Sequence, residues 1–181
     1  MEGTYRIFER DGGELIESFV AAPGPMGLRW FGRVRREGSE EDVRLVDHTV
    51  DREWRLVRLR LMDLEAAVEM MALAGTSGIA VTRAGGAAPG DWVVPGAEAV
   101  WTSSPSALLV AANRIPIGSG TTLAGARIAP DAAPEPVTIG PLRAELGEKE
   151  AATLELDGVR IEVRFRDGWP VWAEDRFELL G

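Results

Sequence analysis

The chain has no cysteine and a single histidine, His48, in 181 residues. The first absence excludes disulfides, thiolate metal sites and cysteine nucleophiles. The second excludes any centre that needs two imidazoles. Lysine is nearly missing too: Lys149 is the only one, so the positive charge is almost all arginine. No stretch reaches the ~18 uninterrupted apolar residues of a spanning helix, so no membrane span is expected. The N-terminus, MEGTYRIFERDGG, has no basic segment leading into an apolar one. That is the pattern of an export signal, and without it the cytoplasm is the expected location. Basic clusters are also lacking. Lys+Arg total 20 against 29 Asp+Glu, a net charge of −9, and the arginines are dispersed. Such a surface repels phosphates, so nucleic acid is not an expected partner.

What is present is an ordinary globular composition, with 45% hydrophobic and 27% charged residues. A chain of this length buries roughly 70% of the surface it exposes when unfolded, enough for a core without staples. One domain over residues 1–181 is expected.

The dominant pattern is two-residue alternation, the mark of a half-buried strand. In Val159–Arg166 the residues Val159, Ile161, Val163 and Phe165 point one way, and Arg160, Glu162, Arg164 and Arg166 the other. Asp157-Gly158 and Asp167-Gly168 flank it, dipeptides that favour two-residue hairpin turns because glycine takes positive φ without steric cost. Ala152–Leu156, Val159–Arg166 and Pro170–Leu180 are therefore expected as a meander. Gly3–Arg10 and Glu14–Ala21, joined by Asp11-Gly12-Gly13, form another expected hairpin. Gly27–Arg36 with Val43–Val50, and Thr121–Ile128 with Pro136–Leu146, are further strand pairs. In Glu53–Met62, straight alternation puts Arg55, Val57, Leu59 and Leu61 on one face and Trp54, Leu56, Arg58 and Arg60 on the other. Leu64–Ala74 has helix-forming residues but is short and apolar, and is taken as a strand ahead of Ile79–Arg83. Arg83–Gly90 and Ala129–Pro136 are taken as loops.

One helix is expected, over residues 104–114. Ser104 supplies the N-cap, Pro105 sits in the first turn where its missing N–H costs nothing, and Pro116 enforces the stop by Ile115. The fold class is thus mainly β: a curled antiparallel sheet, half-barrel or barrel of about ten or more strands with one short helix, since so long a meander must curl or split to bury its apolar face. Its edges are compatible with a homodimer.

Chemistry is sparse. His48 lies on the strand face opposite Asp47, Thr49 and Asp51, so a role as base needs a distant carboxylate. Gly118-Ser119-Gly120-Thr121-Thr122 lacks the lysine of a phosphate loop and is taken as a turn. The acidic runs Glu40-Glu41-Asp42 and Glu148 with Glu150 are expected to face water, and neither a metal nor a cofactor is assigned. Six tryptophans and the Met70-Met71 pair stand out. They suit either a filled core or an apolar ligand cavity.

Three passages resemble one family: His48–Leu61 (HTVDREWRLVRLRL), Pro105–Ile117 (PSALLVAANRIPI) and Asp167–Leu180 (DGWPVWAEDRFELL). They are similar to bacterial glycolipid-binding proteins and the wider group of lipoprotein-carrier half-barrels. The resemblance implies a long antiparallel sheet curled around helical segments, a hydrophobic or amphipathic guest in its concave face, and no catalysis. The lipobox cysteine of the lipoprotein carriers has no counterpart in this sequence, and an export signal is not expected.

The leading expectation is a non-catalytic binding protein for a lipid-like or other hydrophobic small molecule. Trp30, Trp54, Met70 and Trp101 would line the site, with Arg58 and Asn113 as polar anchors. The alternatives are an interaction protein with a filled core and an enzyme using carboxylates with His48. A cavity of ~300 Å³ or more separates the first from the second. The enzyme needs His48 or an acid facing that cavity beside a second polar group.

Overall fold

The protein is described by a computed structural model covering residues 1–9, 12–144 and 150–180. These residues form fifteen strands in one sheet. In chain order they are β1 (Glu2–Phe8), β2 (Glu14–Pro23), β3 (Gly27–Arg36), β4 (Asp42–Asp51), β5 (Leu56–Asp63), β6 (Val68–Gly75), β7 (Gly78–Gly85), β8 (Gly90–Pro95), β9 (Ala99–Trp101), β10 (Leu123–Arg127), β11 (Glu135–Ala144), β12 (Ala151–Leu156), β13 (Val159–Arg166), β14 (Trp169–Ala173) and β15 (Phe177–Leu179), with α1 (Pro105–Arg114) between β9 and β10. Strands β1 to β8 run as an antiparallel meander. Strands β15 back to β10 continue the sheet from the other side of β1, which pairs with β15. Strand β9 lies parallel to β10 and ends the sheet.

The mainly-β expectation with one short helix therefore holds. The sheet is curled but not closed. Its ends, β8 and β9, are not hydrogen-bonded to each other, yet β8 approaches β11 and β9 approaches β5. The inward side chains meet in one apolar cluster that draws on both halves of the sheet. Helix α1 sits inside the curl. Its residues Pro105 through Ala111 are all buried, as expected of a helix surrounded by protein rather than lying on a surface. Ser104 caps it with φ −73° and ψ 138°, and its hydroxyl accepts from the Ser106 N–H.

Local chemistry explains most boundaries. Asp157-Gly158 and Asp167-Gly168 each place both turn residues at positive φ (51° and 78°, 51° and 79°), the backbone of a type I′ hairpin. In β13 Ile161, Val163 and Phe165 face the core, but Val159 lies beyond it and is 60% exposed, contrary to the simple alternation.

Strand β5 corrects the expectation more sharply. Asp51 Oδ1 accepts from the N–H groups of Glu53 and Arg55, and Trp54 adopts φ 62°. That Asx-type turn delays the strand to Leu56. Opposite β4, Val50 pairs with Leu56 and Thr49 with Arg58, so Val57 is an extra, bulged residue. The bulge turns Leu56 to the core with Leu59 and Leu61, and leaves Arg58 and Arg60 on the convex face.

Three further differences have similar causes. Residues 64–67 form a turn, held by the Ala66 N–H on Asp63 Oδ1, so the strand expected from Leu64 begins at Val68. The segment expected as one strand over Pro170–Leu180 is two, β14 and β15, joined by a turn with Asp175 at φ 50°. Strands β8 and β9 were not foreseen, because Pro95-Gly96 splits a short apolar run. The expected ends at Arg10 and Leu146, and the Asp11 of the first turn, lie outside the described residues.

The bulge is directly testable. Leu56→Ala is expected to cost about 2–5 kcal/mol in urea unfolding, as for a core leucine, whereas Arg58→Ala is expected to cost less than about 1 kcal/mol. Straight alternation would give the two residues similar effects.

Candidate functional site

Strands β12 to β15 present Leu154, Ile161, Val163, Ala173 and Phe177 toward α1 and the segment that leads into it. Across from them stand Trp101, Leu108 and the Thr102-Ser103-Ser104 turn. A pocket lies between, with about 20 Å³ of free room, space for roughly one water. Its wall is mostly apolar. Ser103 is exposed and Arg176 half-buried, so these two mark the side that faces solvent.

Behind Ser104 is a buried polar chain that crosses from the helix to the sheet. Glu17 on β2 is fully buried and shares its strand face with Leu15, Phe19 and Ala21. Its Oε1 accepts from Trp30 Nε1 at 2.8 Å and from the Ser104 hydroxyl at 3.0 Å. Ser104 Oγ lies 3.1 Å from Ser106 Oγ, and Ser106 Oγ lies 3.1 Å from His48 Nδ1. Each hydroxyl has one proton to give. Because Ser104 donates to Glu17, the consistent arrangement runs one way: His48 Nδ1–H to Ser106, Ser106 to Ser104, Ser104 to Glu17. It leaves His48 Nε2 as a bare acceptor. Both that nitrogen and Glu17 Oε2 are buried without a partner. Gly32 makes room for the carboxylate, since a Cβ there would stand 2.2 Å from Glu17 Oε1.

Burial governs the protonation of both ends. It pushes the Glu17 carboxyl up to about 7, against the opposing pull of its bonds from Trp30 and Ser104 and of the Arg44 charge. It pushes His48 down to about 4, with nearby Asp47 pulling the other way. The imidazole is therefore neutral at ordinary pH, and the carboxyl is close to half-protonated. The chain can hold or release one proton at Glu17 while fixing the start of α1 to the β2–β4 wall. Among the described residues no group of three or more His, Asp or Glu side chains is placed to hold a metal, and no helix is long and apolar enough to cross a membrane.

The six residues expected to form a ligand site do not converge. Trp101 lines the pocket. Trp30 is instead part of an aromatic stack, 4.1 Å and 5° from Phe19, with Tyr5 and Trp169 beside it. Met70 is fully buried in the filled core, and Trp54 packs half-buried at its margin from the turn before β5. Arg58 is on the convex face, bound to Asp47 Oδ2 at 2.7 Å beside the bidentate Arg29–Asp47 pair. Asn113 is exposed near the end of α1 and donates to the Leu109 carbonyl at 2.8 Å. Neither polar residue reaches the pocket. His48 does face away from Asp47, as the alternation indicates, and its distant carboxylate is Glu17, reached through two serines. The missed residue had a visible signal: in Leu15–Ala21 a lone glutamate occupies the apolar face.

No protein-family model matches the chain, and no curated protein matches its sequence. A crystal structure of a β-barrel-like protein of a domain of unknown function, DUF1849, from Brucella abortus is similar over 99% of this chain and 95% of its own, at 15% identity and a TM-score of 0.48.

The two buried groups give opposite pH dependence. Glu17 keeps its proton in the folded state above the usual 4.5, so its contribution is complete below about 4.5 and is lost as pH rises to about 7. The His48 contribution is present above 6.5 and is lost as pH falls toward 4. The stability of the wild type minus that of Glu17→Gln is therefore expected to fall by on the order of 3 kcal/mol between about pH 4.5 and 7, then level off. Urea unfolding across that range checks it, and a flat difference curve would refute the burial of the carboxyl.

Proposed function

We propose that the protein binds an amphipathic small molecule non-covalently, in the pocket between the start of α1 and strands β12 to β15. The observation that carries this reading is the composition of that pocket: an apolar wall of Trp101, Leu108, Leu154, Ile161, Val163, Ala173 and Phe177, with Ser103 and Arg176 on the solvent side. An acyl chain suits the wall, and a polar or acidic head suits the rim. The likeness of three sequence passages to glycolipid-binding half-barrels supports the same class of guest. The curled sheet also has two ends that no hydrogen bonds join. Strand β9, which carries Trp101 of the pocket wall, is paired on one side only, with β10. The same reading has the guest unmodified, the site of action in the cytoplasm, and no part for nucleic acid.

A second reading has one observation in its favour. The free room of about 20 Å³ falls far below the ~300 Å³ typical of ligand sites. A protein whose interior is simply filled, acting through its surface, fits that volume.

Native mass spectrometry of the protein purified from its own host separates the two. A co-purifying amphiphile is expected, and Ala173→Leu, which adds bulk to the pocket wall, is expected to weaken binding of a dansyl-labelled fatty acid by about tenfold. Protein that is repeatedly empty, and that takes up no fatty acid, would favour the filled interior.

A further inference from the structure

Ser104 holds three positions at once: it caps α1, it forms part of the pocket wall, and it donates to the buried Glu17 carboxyl. We propose that the Glu17–Ser104 contact is a proton-operated latch on the pocket: with the carboxyl neutral the start of α1 stays seated, and loss of the proton to water releases it and opens the pocket. The guest admitted is the one proposed above, but the latch itself does not depend on it.

The surroundings of the carboxyl set this behaviour. Glu17 Oε1 is fully engaged, whereas Oε2 is buried with no partner. A neutral carboxyl tolerates that site; an anion there lacks half of the hydrogen bonds that would stabilise it. Acting on it are Tyr5 on β1, Trp30 on β3, Arg44 on β4 and Ser104 at the start of α1, with Ser106 and His48 beyond Ser104 in the hydrogen-bonded chain. Tyr5 is held protonated by its burial and by Glu17 itself, and His48 is neutral well above pH 4. Arg44 supplies an attractive charge, but burial outweighs it. On the sheet side Glu17 is walled by the β3 backbone at Gly32. On the helix side Ser104 both bonds to the carboxyl and lines the pocket. Displacing Ser104 would open a path for water from the pocket to an ionised Glu17, and that displacement removes the N-cap and part of the pocket wall together.

Hydrogen exchange of the α1 amides tests the latch without any ligand. The protection factors of Ser106 and Ala107 are expected to fall about tenfold between about pH 6 and 8 in the wild type, and to stay constant in Glu17→Gln. Ser104→Ala, which removes the donor, is expected to show low protection at both pH values, and gives a second reading of the latch if the glutamine variant does not fold. Constant wild-type protection would overturn the latch, even if a dansyl-labelled fatty acid binds equally at both pH values. A tenfold fall with no fatty-acid uptake would uphold the latch and count against the binding proposal alone.

Discussion

A buried carboxyl ties the start of the helix to the sheet. Glu17 comes from β2, is positioned by Trp30 from β3 and by the gap at Gly32, and receives the hydroxyl that caps α1. A polar group placed so deep costs stability unless it is bonded, and leaving one of its partners unmatched costs roughly 1–3 kcal/mol. The arrangement therefore favours one seating of the helix over all others. Apolar packing alone would let a short helix slide or rotate within the curl, because dispersion and hydrophobic burial are not directional.

The rest of the interior follows from that seating. Trp30, bonded to Glu17, lies against Phe19, and this stack continues to Tyr5 and Trp169. The Tyr5 hydroxyl donates to the Pro170 carbonyl, and β1 pairs with β15. The two halves of the sheet are thus joined at the same place where the aromatic stack is thickest. The opposite seam, between β8 and β9, has no such join. The helix spans the curl: it packs against β9 at the unsealed end and against β14 near the β1–β15 join, and the pocket lies against β12 to β15. Outside, Arg29 and Arg58 share Asp47, and Arg60 takes Glu69 as a bidentate partner. This convex ladder contributes little stability for each exposed pair.

Much of the fold was legible in the sequence. Gly27–Arg36 matches β3 residue for residue, the Asp-Gly turns adopt the backbone their chemistry requires, and Ser104, Pro105 and Pro116 bracket the helix. Errors arose where side chains bond to nearby backbone. Asp51 and Asp63 each capture amides two to four residues ahead, turning segments that composition alone extends as strand. The bulge at Val57 then inverts a face assignment that perfect alternation would have given to Leu56. The site was less legible. Tryptophan and methionine fill a core as readily as they line a cavity, so Trp30 and Met70 carried no information about which they do. Arg58 and Asn113 were assigned by type, and each is satisfied locally instead. The informative residue was the one that broke its pattern, Glu17 on an apolar strand face, and its meaning depends on Ser104, 87 positions away.

The most direct measurement of the Glu17–Ser104 tie is a double-mutant cycle on folding stability with Glu17→Gln, Ser104→Ala and both together, at a pH low enough to keep the carboxyl neutral. A coupling energy of about 1–2 kcal/mol is expected. Strictly additive effects would mean that the Glu17–Ser104 bond does not hold the helix in the curled sheet.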